Sequence, residues 1–350
     1  MVEKRRITMK DVAESVGFSI STVSLALRGD SRISDSVREK VRQEAKRLGY
    51  RVNLSGALLS QSRPKIIGVV ANFDQELHSA NIKAMAALAP DTGFRLIAEN
   101  ASLYGNPLVA LERLTQFGIE TIIAVDPPAN FSIRGISPTV VIAQGTDLPG
   151  VNLVTSDSRQ ATEELAAHLK NLGHGCVVYM DGPNGISSDS RRSIVESAMK
   201  KVGTRVTTWP AGNTLESGFE ATQNLLARIW LESANWSGEF HSRHGVLGDI
   251  TAIICYNDQC AQGAYIALLK AGISVPRDVS LAGFDNSQIG SGKAFGLTSV
   301  DKNPCEVAKT AFEIACRWQQ GKLQEPVRES RPSRLVIRSS TDSANYLNRN

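Results

Sequence analysis

A chain of 350 residues, with 39 Lys+Arg against 35 Asp+Glu and a formal net charge of +4, is long enough for a small head plus a large core of two subdomains. No apolar run approaches a membrane span, and the charged N-terminus lacks the apolar stretch of a secretion signal, so a cytoplasmic protein with no membrane partner is expected. The charge is unevenly placed: residues 1–63 hold 13 basic and 7 acidic side chains, a net of +6, while the remainder stands at −2, as a phosphate-binding N-terminus requires. The five cysteines, at 176, 255, 260, 305 and 316, have neither metal nor redox spacing, and Cys176 and Cys255 read as buried thiols.

The first predicted helix starts at Thr8, with Asp11 three residues on as a capping box. Val12, Ala13 and Val16 follow at helical spacing, and Gly17 supplies a sharp turn. Ser19 caps a second helix, with Val23, Ala26 and Leu27 facing inward and Ile20, Ser21, Ser24 and Leu25 facing outward near its start. That is the geometry of a helix-turn-helix, whose second helix lays its first residues against base edges. Lys4, Arg5 and Arg6 precede it, and Arg28 and Arg32 flank its end. Ser34 is expected to cap a third helix, with Val37, Val41, Ala45 and Leu48 on one stripe and Gly49 at its end. Residues 54–61 then carry Leu54, Leu58 and Leu59 with no core of their own. Such a segment is either an ordinary linker or a helix that forms only on DNA, with a leucine wedged into a minor-groove step.

Past Pro64 short β-branched runs alternate with amphipathic stretches. Strands are predicted at 66–71, 94–99, 121–125, 139–143, 176–180, 205–209, 251–255 and 279–283. Helices are expected near 77–89, 107–117, 159–172, 189–202, 214–232 and 258–271. Repeated β-α units of this number imply two open, doubly wound parallel sheets, with a ligand cleft outside the carboxyl ends of their strands. Asp126, Asp157, Asp181, Asn257, Asp258, Asp285 and Asn286 all follow strand-like runs. Each alone is an ordinary turn residue. Together they suit a hydroxyl-rich ligand, because carboxylates and amides make several hydrogen bonds in fixed geometry.

These residues resemble the LacI family of bacterial transcription regulators. The family's first segment stands here as Thr8, Asp11, Val12, Ala13, Gly17, Ser19, Thr22, Val23 and Ser24. It continues through Ser34, Val37, Arg38, Val41, Leu48, Gly49, Tyr50 and Asn53. Further on come 256–263, YNDQCAQG, and 275–285, VPRDVSLAGFD. Departures are Phe18 for Val, Val52 for Pro, Gly56 for Ala, and residues 72–78 where the family has an aromatic pair. The resemblance implies base reading by Ile20 and Ser21 with Leu25 beside them. It also implies phosphate contacts from Thr8, Ser19, Thr22 and Ser24, and hinge contacts from Asn53, Gly56 and the intercalating Leu59. Effector contacts are implied for Arg191, Asn257, Asp285 and Asp157, with Phe295 and Trp209 supplying apolar surface in place of the missing aromatic pair.

The implied architecture is an all-α helix-turn-helix head at 1–49, a hinge at 50–63, an α/β effector domain of periplasmic-binding-protein type at 64–340, and a polar tail at 341–350. The chain is expected to cross between subdomains near 160, 290 and 325. A homodimer reading a pseudo-palindromic operator in double-stranded DNA is expected, because paired heads match paired half-sites. Its effector is read as a sugar or sugar derivative, the alternative being a purine or a phosphorylated metabolite. Two other classes fit less of the sequence. A sugar-binding protein of the periplasmic kind needs an export signal and no basic head. An enzyme needs a nucleophile or a paired acid and base, and neither G-x-S-x-G nor a Gly-rich phosphate loop is present. Neither cofactor nor metal is expected, since His241 and His244 in the stretch 230–250 have no third ligand.

Overall fold

The computed structural model describes residues 7–50, 65–133, 135–234 and 247–344. The chain divides into two compact units, Met1–Pro64 and Lys65–Asn350.

In the first unit, helices α1 (Met9–Val16), α2 (Ile20–Arg28) and α3 (Asp35–Leu48) close a core of Val12, Ala13, Val16, Val23, Ala26, Val41 and Ala45. The sequence explains where each helix begins and ends. Thr8 and Asp11 form the reciprocal capping box, and the Ser19 hydroxyl accepts from the Thr22 amide at 3.1 Å. Gly17, Gly29 and Gly49 end the three helices in the left-handed region, where a side chain is strained. Ser34 occupies the cap of α3, but its side chain makes no capping bond; its hydroxyl pairs with that of Ser36 at 3.2 Å instead. Phe18 packs on the core, and the Lys40 ammonium lies 5.4 Å from its ring centroid.

The second unit contains two six-stranded sheets. The first is built from β1 (Ile66–Ala71), β2 (Arg95–Asn100), β3 (Ile122–Val125), β4 (Val140–Ile142), β5 (Asn152–Asp157) and β11 (Arg328–Pro332). Its order is β11-β5-β4-β3-β1-β2 and every pairing is parallel. Helices α4 (Glu76–Thr92), α5 (Pro107–Gln116) and α10 (Pro304–Gln319) pack against it. The second sheet is built from β6 (Cys176–Asp181), β7 (Arg205–Pro210), β8 (Ala252–Cys255), β9 (Ser280–Phe284), β10 (Thr298–Asp301) and β12 (Arg334–Val336). Its order is β12-β10-β9-β8-β6-β7, with only β12 antiparallel. Helices α6 (Arg159–Asn171), α7 (Ile186–Lys201), α8 (Leu215–Ala234) and α9 (Asp258–Lys270) cover it through two separate apolar clusters. The central strands of both sheets are buried along their whole length, which is why they read as unbroken β-branched runs.

Three features differ from the sequence expectation. Helix α10 and strands β10, β11 and β12 are additional elements, and the run that ends at Asp157, absent from the predicted strands, forms the full strand β5. The chain crosses between subdomains at 157–159, 302–303 and 333, because β9 and β10 pair within one sheet and the return runs through β11 into β12. The crossings are tied together: the Ser156 hydroxyl donates to Lys302 O at 2.8 Å and lies 2.8 Å from the Ser333 hydroxyl, while Ser333 N donates to Asp157 O at 2.9 Å. Finally, the tail expected from 341 is packed as far as Ala344. Thr341 is buried, Ala344 N donates to Leu172 O at 2.7 Å, and His174 Nε2 lies 3.0 Å from Asp342 O.

Candidate functional site

In the head, α2 presents its N-terminus outward. Ile20 is half exposed and Ser21 exposed, while Thr22, Ser24 and Leu25 are intermediate. The hydroxyls of Ser19 and Thr22 lie 2.8 Å apart, which fixes the first turn. Thr8 is exposed at the start of α1. Asn53, Gly56, Leu59, the side chain of Arg28, and Trp236, His241 and His244 lie outside the described residues.

In the second unit the carboxyl ends of the two sheets face each other across a small polar-lined cavity. The wall from the first sheet begins where β1 leads into α4. Gln75, at the N-cap of that helix, and His78 and Asn81 on its first turns recur three residues apart and are all buried against the cavity. His78 Nδ1 accepts from the Asn72 amide at 3.2 Å, so the neutral ring carries its proton on Nε2. Burial holds the ring neutral: its pKa is depressed to about 4, against a raising influence from Asp126 and with a further lowering from Lys302. Asp126 follows β3 with φ 44°, and Gln144 follows β4.

The opposite wall comes from α7, β8 and β9. Arg191 on α7 is buried, donates to the Tyr256 carbonyl, and lies over two rings, 4.1 Å from the Tyr256 centroid and 4.9 Å from that of Phe284. Asn257 caps α9 through its carbonyl, accepting from Cys260 N at 2.9 Å. Its amide donates to Asn213 O at 3.0 Å and to Gln75 Oε1 at 3.3 Å. Asp285 follows β9 with φ 100°, a conformation that costs a side-chain-bearing residue about 1–3 kcal/mol and is typical of functional positions. Its Oδ1 is buried without a hydrogen-bond partner. Burial raises the Asp285 pKa, opposed by Arg191 and Lys302. Behind it Asp258 accepts from Ser287 N at 2.7 Å and from the Ser299 hydroxyl at 2.8 Å, and burial pushes its carboxyl up to about 8. Lys302, next after β10, lines the cavity, and burial lowers its pKa to about 8.

The two walls are joined directly on one side. Glu76 N donates to Gln259 Oε1 at 2.9 Å, Gln259 Nε2 donates to Asp74 O at 2.9 Å, and Gln262 Nε2 donates to Glu76 Oε1 at 3.1 Å. On the other side the Ser187 hydroxyl donates to Asp126. A wider, more open chamber adjoins the cavity and shares Gln75, His78, Asp126 and Ser187 with it.

Three of the sequence-proposed effector residues, Arg191, Asn257 and Asp285, are therefore brought together, and the other proposed residues are placed elsewhere. Asp157 turns away from the cavity because side chains alternate along β5. Ser156 faces the cavity and Asp157 pairs with Arg159 at 2.6 Å on the outside. Phe295 sits in the core under α9, its ring 5.3 Å from that of Tyr265 and nearly perpendicular to it. Trp209 packs on the same cluster and donates its indole N–H to Ala221 O at 3.1 Å.

Against known proteins, residues 8–53 match the family described as bacterial regulatory proteins, lacI family, and residues 166–341, half of the chain, match the periplasmic binding protein-like domain. The chain belongs to the LacI family of bacterial regulatory proteins. It is 27% identical to the HTH-type transcriptional regulator DegA of Bacillus subtilis (strain 168), over 97% of this chain and 99% of that one. In fold it matches the lac repressor dimer bound to operator and the anti-inducer ONPF, with a TM-score of 0.73 at 22% identity, covering 97% of this chain and 100% of that one. It also matches the transcriptional regulator CelR–cellobiose complex, with a TM-score of 0.66 at 20% identity over 96% of this chain and 100% of that one. Gln75, Asn81, Ser187 and Lys302 of this LacI-family regulator are not singled out by sequence reasoning, although the three-residue spacing of Gln75, His78 and Asn81 on α4 was open to view.

Proposed function

We propose that this regulator binds a pseudo-palindromic operator as a homodimer and represses, with its DNA affinity set by a small polyhydroxy molecule, a sugar or sugar derivative, held between the two subdomains. The observation that carries the reading is the convergence of Arg191, Asn257 and Asp285 on one cavity at the carboxyl ends of two facing sheets, in a chain that also carries a helix-turn-helix head. The cellobiose complex of CelR and the operator complex of the lac repressor dimer support each half of it. Carboxylate, amide and guanidinium groups are what hydroxyls require, and Asp285 Oδ1 has a bond still to make.

The action is linkage. A ligand that bridges the two walls biases the position of one subdomain against the other, and the strand crossings tied by Ser156 are where that motion is absorbed. Whatever factor the ligand imposes on DNA affinity, DNA imposes on ligand affinity. The protein is read as non-enzymatic and as working in the cytoplasm on the nucleoid. Among the described residues no helix is long and apolar enough to cross a membrane.

Selection of bound sequences from random duplex DNA by the full-length protein tests the first half; recovery of a two-fold symmetric site is expected. Arg191→Ala and Asp285→Ala should then bind that site as wild type does while losing the response to any compound that changes wild-type binding. A response retained in both variants refutes the cavity as the effector site.

A further inference from the structure

We infer that the effector carries a carboxylate beside its hydroxyl groups, and that Lys302 is the residue that receives it. The inference rests on the proposed effector cavity and specifies its occupant as a polyhydroxy monocarboxylate, the class of aldonic and uronic acids.

Lys302 is 8% exposed and lines the cavity at the point where the chain leaves β10 for α10. Its carbonyl is engaged by Ser156, but its ammonium has no hydrogen bond or ion pair among the described residues. An ammonium without a partner on a side chain this buried, open to the cavity it lines, is placed to pair with a ligand. Arg191, the other cation on these walls, spends one N–H on the Tyr256 carbonyl and lies over two ring faces. Lys302 is therefore the cation on these walls whose donors are all uncommitted. Acceptors are left over as well: Asp285 Oδ1 and Asn81 Oδ1 are buried without partners on the same cavity. A ligand with one anionic end and several hydroxyl donors satisfies both. A phosphate fits less well, because Asp126 and Asp285 line the same space and a second negative charge would face them. The depressed pKa of Lys302 supplies an independent readout. A bound carboxylate raises it again, so binding near pH 8 takes up a proton.

Titration calorimetry on the full-length protein at pH 8, in two buffers of different ionisation enthalpy, tests this with gluconate, glucuronate and galacturonate against glucose, galactose and glucose 6-phosphate. At least one acid is expected to bind 10-fold or more tightly than its neutral parent, with net proton uptake. Lys302→Gln is expected to lose at least 10-fold in affinity for that acid together with the proton uptake, and Lys302→Arg to recover part of the affinity. Lys302 makes its structural bond through the backbone, so both variants should fold, which thermal unfolding checks. A neutral sugar bound as tightly as its acid, a tighter sugar phosphate, undiminished acid binding by Lys302→Gln, or no binding by any acid overturns the inference. The cavity itself is judged separately: binding of any neutral sugar that Asp285→Asn removes leaves the effector-site reading standing while the carboxylate falls.

Discussion

Gln259→Ala should loosen the cleft without unfolding either subdomain. The Gln259 side chain spans the gap, accepting from Glu76 N and donating to Asp74 O, both at 2.9 Å. It is partly exposed on the first turn of α9 and contributes to no apolar cluster, so its truncation leaves both cores intact. A net hydrogen bond is worth about 0.5–1.5 kcal/mol, and the pair therefore holds the closed arrangement by about 1–3 kcal/mol, a factor of about 5–150 in the closed-to-open ratio. Partial exposure places the expected value in the lower half of that range. Gln262 and Asn257 still bridge to Glu76 and Gln75, so closure is weakened rather than lost. Spin labels at Thr146 and Asn184, on opposite lips of the wider chamber, report the change as a longer and broader distance distribution in the variant. Small-angle scattering gives the same answer as a larger radius of gyration. A distance distribution indistinguishable from wild type would show that these two bonds do not hold the cleft closed.

Gly263→Ala is expected to destabilise the second subdomain, because a Cβ there would lie 1.9 Å from Leu215 O and 2.6 Å from Phe219 N, where α8 and α9 touch through backbone. Overpacking of this kind costs about 1–3 kcal/mol, read as a lower midpoint in urea; Gly175→Ala, with open space around the new atom, is the control and should change little. Thr8→Ala removes the capping box of α1, should cost the head about 1 kcal/mol and should weaken operator binding in proportion; unchanged hydrogen exchange in α1 would refute this. Stability should also pass through a minimum near pH 8. Asp258, raised from 3.8 to about 8, binds its proton more tightly in the folded state, so its contribution is lost as pH rises toward 8. Lys302, lowered from 10.5 to about 8, is protonated more readily in the unfolded state, so stability recovers between pH 8 and 10.5. Below pH 6.5 the buried neutral His78 opposes Asp258, which leaves the fall visible from about 6.5 to 8. One proton corresponds to about 1.4 kcal/mol per pH unit, so about 2 kcal/mol is the upper limit over that window. Urea unfolding across pH 6–10 checks it, and Asp258→Asn should flatten the acid side of the minimum.

What could be read from the sequence follows from where each element lies. The runs IIGVVA, TIIAV, CVVYM and TAIIC sit in the middle of their sheets, buried on both faces, so composition alone marks them. Strands β11 and β12, with the sequences RESRP and RLV, lie at the outer edges, where solvent accepts charge. They are strands because β5 and β10 offer unpaired backbone, a cause that no local pattern displays. Helix α10 was open to view, since Val307, Ala308, Ala311, Phe312, Ile314 and Ala315 recur at helical spacing; its charged neighbours masked the stripe. The cavity divides in the same way. Arg191, Asn257 and Asp285 sit in segments whose pattern carries them, while Gln75 and Asn81, Ser187, and Lys302 come from three places in the chain and meet only when both sheets have formed. Asp157 and Ser156 show how narrow the margin is. The strand end was correctly located, but side chains alternate, and a shift of one residue exchanges a cavity hydroxyl for an outward ion pair. Residues that meet only in the folded cleft are therefore those a sequence pattern is least able to reveal. An unpaired ammonium at Lys302 becomes visible only once its neighbours are in place.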